Sequence, residues 1–151
     1  MRLSVALTAT LAAGLSVVPQ AEAGVVRAFY NASETPLTAD VYLPLPLNPS
    51  TVTGSFSLPE AATVTLTFSG VCDSHDASGF RGVLLIMVLD NNLVSTVPAA
   101  PAIWCRGPDW PIMTSATYAK RLTAGTHTIQ VKVKSMNSAG TFGSTSLVIS
   151  K

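Results

Sequence analysis

Arg81-Gly-Val-Leu-Leu-Ile-Met-Val-Leu-Asp90 decides the reading of this chain. Seven consecutive apolar residues, Val83 to Leu89, call for a dry environment on both faces. The run is far too short for a bilayer, which takes about 20 apolar residues. Val83, Ile86 and Val88 are β-branched, Gly82 precedes the run, and Asp90-Asn91-Asn92 follows it with turn chemistry. Such a segment reads as a central strand buried on both sides, with a short buried helix as the competing reading on periodicity alone. The chain's two cysteines, Cys72 and Cys105, bracket it.

Moving outward, half-buried strands surround this run. In Thr51–Leu58, Val52, Phe56 and Leu58 fall on one face; in Thr63–Ser69, Val64, Leu66 and Phe68 alternate with Thr and Ser. The short turn Pro59–Ala62 between them predicts an antiparallel pair in one sheet with a wet outer face. Gly70–Gly79 reads as a polar excursion, and Leu93–Val97 as the return strand after the central run. Ile112–Leu122 is a long strand, and Thr123-Ala-Gly125 is a turn. Thr126–Lys134 then alternates most cleanly, with Ile129, Val131 and Val133 inward and Thr128, Gln130, Lys132 and Lys134 outward. Val25–Tyr30 opens the fold, Asp40–Leu43 adds a short strand, and Ser144–Ser150 closes it. Pro44, Pro46 and Pro49 confine their segment to an edge or a loop. Eight to ten short strands with regular turns and no helical window predict one all-β domain. Its architecture is a single-domain, two-sheet antiparallel β-sandwich, jelly-roll-like, with one disulfide.

The first 23 residues carry a different message. Arg2, the apolar stretch Leu3–Val18, the break at Pro19-Gln20 and Ala21-Glu22-Ala23 form a secretory signal peptide. The domain is then residues 24–151, secreted to the extracellular space or periplasm. Only 11% of residues are charged and the net charge is +1, so no basic stripe exists to meet nucleic acid. No membrane span remains after signal cleavage. In an exported chain Cys72 and Cys105 are expected to pair. The bridge would close a loop of about 33 residues, worth roughly 3–4 kcal/mol. Asn31-Ala32-Ser33 matches a glycosylation sequon, relevant only in a eukaryotic secretory route.

Phe68-Ser-Gly-Val-Cys72, the apolar strand ending in Asp90, Trp104-Cys105, Leu122-Thr-Ala-Gly-Thr-His-Thr128 and Ser146-Leu-Val-Ile149 together resemble a group of uncharacterised secreted bacterial jelly-roll domain proteins of C1q/TNF-like layout. The similarity spans about residues 45–150. Its most specific piece is the Leu-x-Ala-Gly-Thr-His-Thr turn. The resemblance implies a sandwich outside the cytoplasm and implies no reaction. The group carries a carboxylate before its first cysteine, where this chain has Val71.

Three clusters bear on chemistry. Trp104, Arg106, Asp109 and Trp110 make the aromatic-dense loop. Indole rings pair a large apolar face with one N–H, so such a loop can stack sugar rings while Arg106 and Asp109 bond hydroxyls. The competing reading has Trp104 over the disulfide and Trp110 capping the sandwich. Asp73, Ser74 and Asp76 are oxygen ligands of the kind Ca²⁺ takes, but they match no EF-hand spacing, and a solvated loop accounts for them as well. Zinc would need His75 together with the distant His127. His127 itself lies in phase with Ile129, so its ring is expected to face the core and donate to a backbone carbonyl. No G-x-S-x-G elbow and no conspicuous carboxylate pair occurs, which argues against hydrolase chemistry. The functional expectation is a non-catalytic secreted binding module for glycan or another cell-surface polymer. The alternative is a structural protein forming a C1q/TNF-like homo-oligomer, since 48% hydrophobic content leaves few polar side chains for a monomer's surface.

Overall fold

The computed structural model describes residues 24–74, 81–94, 102–105, 112–136 and 139–151. Eleven strands run through them. They are β1 (Val25–Asn31), β2 (Thr35–Leu37), β3 (Leu43–Pro44), β4 (Gly54–Leu58), β5 (Ala62–Ser74), β6 (Arg81–Leu89), β7 (Asn92–Leu93), β8 (Ala102–Cys105), β9 (Ile112–Leu122), β10 (Gly125–Ser135) and β11 (Gly140–Ser150). One sheet has the order β1-β11-β5-β9, with β2 also on β11; the other runs β3-β10-β6-β7, with β4 also on β10 and β8 also on β6. All of these strand pairings are antiparallel. The all-β, two-sheet architecture expected from the alternation is present.

Between the sheets lies one core. Val64, Leu66, Phe68 and Cys72 from β5 and Phe142, Leu147 and Ile149 from β11 meet Val83, Leu85 and Met87 from β6 and Ile129, Val131 and Val133 from β10. All of these are at most 1% exposed. Burying each such side chain stabilises the fold by about 1.5–3 kcal/mol in transfer free energy. The alternation is strict because consecutive strand residues point to opposite faces.

Several expectations need correction. The central run is dry on one face only: Val83, Leu85, Met87 and Leu89 are buried, while Leu84, Ile86 and Val88 are half-buried. The ladder sets Leu84, Ile86 and Val88 opposite Lys134, Lys132 and Gln130 of β10. Long polar side chains lay their stems along apolar neighbours, so this outer stripe needs no second layer of protein. β4 and β5 are not partners. β4 pairs with β10 and β5 with β11 and β9, so the Pro59–Ala61 turn carries the chain from one sheet to the other. Val52 lies outside β4 and is 38% exposed; Gly54 takes the inward position. The reason is packing, since a Cβ on Gly54 would overlap the ring of Phe29.

β5 likewise does not stop before Gly70. It runs on to Ser74, pairing with β9 through Cys72 and with β11 as far as Ser74. Gly70 is not a breaker there but a space: a Cβ would overlap the Phe142 ring, which packs 5.6 Å from Phe68, centroid to centroid. β11 begins at Gly140 rather than Ser144, with a register shift between Gly143 and Ser146 where Ser144 adopts a φ of 47°. Asn31 is only 1% exposed, and its amide is turned onto the backbone of Ser33. A sequon amide so placed is not open to glycosylation.

Candidate functional site

The two ends of the sandwich differ. At one end are the β6–β7 and β9–β10 turns. β6 and β7 are joined by Asp90 and Asn91, with φ of 49° and 64°, while Leu89 pairs with Asn92. Two positive φ values between paired residues make a type I′ hairpin turn, and Asp and Asn tolerate that conformation better than other side chains. The turn holds the Asp90 carboxylate against the start of β10.

There Asp90 meets His127, which is 6% exposed. His127 Nδ1 lies 2.7 Å from Asp90 Oδ2, and Nε2 lies 3.0 Å from the Thr123 carbonyl oxygen. Asp90 Oδ1 accepts from the Thr128 amide at 2.8 Å. A carbonyl can only accept, so Nε2 carries a proton; an ionised carboxylate also only accepts, so Nδ1 carries one too. With both nitrogens donating, His127 is an imidazolium ion-paired to Asp90 below its raised pKa. The hydrogen bond to Asp90 raises the His127 pKa above its ordinary value, against the opposing effect of burial, with the Thr123 carbonyl adding to the rise. For Asp90, burial pushes the carboxyl upward, but the bonds from His127 and Thr128 outweigh it and its pKa is lowered. The Phe56 ring of β4 sits 5.5 Å from the imidazole ring and completes its enclosure. The expected inward ring and backbone-carbonyl bond of His127 are both present. The Asp90 partner is additional; the residues are 37 apart in the chain, and only the pairing of Leu89 with Ile129 brings them together.

Beside this pair a cleft of about 300 Å³ opens between the sheets, lined by Leu89, Asp90, Asn92 and Val94 from one and Lys120 and Leu122 from the other. Asn92 donates to the Asp90 carbonyl at 2.9 Å, which leaves its amide oxygen and a second N–H for other partners. Of the four lone-pair positions on the Asp90 carboxylate, His127 and Thr128 occupy part, and the side chain remains 40% exposed. Among the described residues, no carboxylate pairs with Lys120.

The opposite end holds Asp73, Ser74 and Trp104, three of the residues singled out in the sequence. Asp73 Oδ1 accepts from Thr141 through the amide at 3.2 Å and the hydroxyl at 2.9 Å, tying β5 to β11. Next to it, Ala32, Glu34, Val71, Asp73, Thr141, Gly143 and Ser144 line a second cleft of about 340 Å³. Ser74 ends β5, while Asp76 and His75 lie outside the described residues. Among the described residues no group of three or more His, Cys, Asp or Glu could hold a metal ion. Trp104 and Cys105 belong to the β8 backbone, opposite Gly82 and Arg81. Arg106, Asp109 and Trp110 lie outside the described residues. Cys72 is fully buried, and among the described residues no cysteine is free. The buried Tyr118 hydroxyl has no hydrogen-bond partner among the described residues, and burial raises its pKa.

No family model and no curated protein matches the chain. Among solved structures, the carbohydrate binding module of Cellvibrio mixtus lichenase 5A, in complex with cellotriose, is 12% identical; the match covers 85% of this chain and 98% of that one at a TM-score of 0.42. A family 35 carbohydrate binding module from an environmental isolate is 13% identical over 83% of this chain and 88% of its own, at 0.35. A structure of infectious bursal disease virus, Gx strain, is 9% identical over 82% of this chain and 32% of that one, at 0.45. Likenesses this distant do not bear on what the chain binds. Among the described residues no helix is long and apolar enough to cross a membrane.

Proposed function

We propose that the protein is a non-catalytic extracellular binding module whose ligand is a glycan or similar hydroxyl-rich cell-surface polymer. The observation that carries this reading is the cleft between the two sheets at the hairpin end. Leu89, Val94 and Leu122 supply apolar walls, and Asp90, Asn92 and Lys120 supply acceptor and donor groups. A sugar ring has the complementary makeup, with C–H faces and a rim of hydroxyls, and sites of this kind combine apolar lining with a few fixed polar groups. Asp90 is fixed in advance by His127 and Thr128, so ligand binding need not order it.

In the same reading residues 1–23 are a secretory leader, and Cys72 and Cys105 are bridged across the sandwich. Cys72 is buried on β5, and Cys105 stands opposite Arg81, two residues from inward-facing Val83. Trp104, Arg106, Asp109 and Trp110 then form a second recognition surface.

Titration with a polysaccharide panel, followed by calorimetry and by tryptophan emission, tests the reading. Of the two indoles, Trp104 belongs to β8, and Trp110 follows it six residues later in the sequence. A ligand held in the cleft is expected to bind without changing their emission and to be lost in Asn92→Ala. A ligand that shifts emission and ignores Asn92→Ala uses the tryptophan loop instead. A panel in which nothing binds ends the glycan reading. The homo-oligomer reading draws on Tyr30 and Met113, 62% and 73% exposed on the outer face of the five-stranded sheet. A stable trimer mass at low concentration would favour it.

A further inference from the structure

We propose that the cleft at the hairpin end selects a carboxylate-bearing sugar residue, a uronate, over its neutral counterpart, with Lys120 as the selecting group. This rests on the glycan reading above and names the ligand class within it.

The argument is one of charge in a small space. Three charged groups surround the cleft: Asp90 and Lys120 in its lining and His127 immediately behind Asp90. His127, on β10, faces the Asp90 carboxylate from the β6–β7 turn, the Thr123 carbonyl from the β9–β10 turn and the uncharged Phe56 ring from β4. With both ring nitrogens aimed at acceptors, the imidazolium cancels the carboxylate. Lys120 is left with no carboxylate partner among the described residues, so the cleft carries a net positive charge. A neutral sugar would leave that ammonium facing the ligand uncompensated. A carboxylate would pair with it.

The other groups suit the rest of such a ring. The remaining lone pairs of Asp90 and the amide oxygen of Asn92 accept from hydroxyls, and the free Asn92 N–H donates to one. Leu89, Val94 and Leu122 cover the C–H surface. At about 300 Å³ the space is at the lower limit of small-molecule sites, which suits a single ring rather than a long stretch of chain. His127 also has a role in this selection. Were Asp90 unpaired, its charge would oppose the ligand's; the imidazolium removes that repulsion while leaving the carboxylate oxygens in place to accept hydroxyls.

The experiment is calorimetric titration of the full chain with oligogalacturonate and with the same oligomer after carboxyl reduction, at low and moderate salt. The acidic oligomer is expected to bind at least about tenfold more tightly, the size of one hydrogen-bonded charge pair. The preference should shrink as salt rises. In Lys120→Gln the preference should vanish, the acidic oligomer losing more affinity than the neutral one; in Lys132→Gln, on the outer face of the six-stranded sheet, it should persist. Equal binding of both oligomers, or a preference that survives Lys120→Gln, overturns the uronate assignment and leaves the glycan reading standing. Binding of neither oligomer overturns the uronate assignment, and failure of the wider polysaccharide panel overturns the glycan reading with it. Circular dichroism and thermal unfolding of Lys120→Gln keep a folding defect apart from a binding one, and an unfolded variant is replaced by Lys120→Met.

Discussion

The hairpin end and the β8 end of this sandwich show two ways of finishing the same pair of sheets. At the hairpin end the connections are short. A two-residue turn at Asp90-Asn91 holds β6 and β7 in register, the Thr123-Ala124 turn carries the chain from β9 in one sheet to β10 in the other, and an ion pair at 2.7 Å joins Asp90 to His127. At the other end β5 and β11 run on to Ser74 and Gly140, and the polar groups found there, Asp73 and Thr141, bond to each other across the ladder at the edge of the second cleft. Short turns bring side chains from distant strands to fixed points, and fixed points are what recognition needs. Among the described residues, apolar walls and a pre-fixed carboxylate meet at the end with the short turns.

Substitutions at the two ends should separate these roles. The largest effect belongs to the core beneath the β8 end. Phe142→Ala removes a fully buried ring stacked beside Phe68 and over Gly70, and should lower unfolding free energy by about 3–5 kcal/mol in a urea melt. Cleft binding should survive it wherever the protein stays folded. A similar loss, roughly 3–4 kcal/mol, is expected on reducing the proposed Cys72–Cys105 bridge. A melt indifferent to reductant would remove the bridge from the account.

The hairpin end should respond less in stability and more in pH dependence. His127→Gln breaks a buried charged hydrogen bond, at a cost of about 1–3 kcal/mol near pH 5. The raised His127 pKa means the folded state holds that proton more tightly than the unfolded chain. Its contribution is complete below the ordinary histidine value of 6.5 and is lost as pH rises through the folded value above it. Asp90 acts in the opposite sense: its lowered pKa contributes above the ordinary value of 3.8 and is lost as pH falls through the folded value. The gap between the parent protein and His127→Gln should accordingly be widest between about pH 4 and 6.5 and narrow on either side. A gap that stays flat from pH 4 to 9 would contradict the ion pair. The smallest effect is at Asn91, whose φ of 64° an alanine adopts poorly. Asn91→Ala should cost about 1 kcal/mol, and Asn91→Gly should cost nothing or stabilise slightly.

How far the sequence could be read follows from range. Within β10 the inward Ile129, Val131 and Val133 and the outward Lys132 and Lys134 are as the alternation predicts. The turn at Asp90 is likewise visible, because Asp and Asn at positive φ are a local matter. Misreadings began where two strands had to be assigned to each other. Val52 alternates correctly with Phe56, yet Phe29 of β1 claims the neighbouring space and leaves Gly54 the inward place. Gly70 looks like a strand breaker until Phe142, 72 residues later, packs over it. The aromatic loop drew the functional reading because tryptophan is conspicuous in a sequence. A valine, two leucines, an asparagine, an aspartate and a lysine spread from residue 89 to residue 122 are not.

The sequence by itself determined the all-β content, the inward faces of β5 and β10, the hairpin turn after the apolar run and the inward ring of His127. Each depends on side-chain period or on the backbone preference of one or two residues, and those are local quantities. The tertiary structure alone decided that β4 and β5 belong to different sheets, that Asp90 meets His127, and that Lys120 lines the same cleft as Asp90 without an ion-pair partner among the described residues. Those are outcomes of register between strands far apart in the chain. A register is selected by the fit of the whole core, and no local pattern records it.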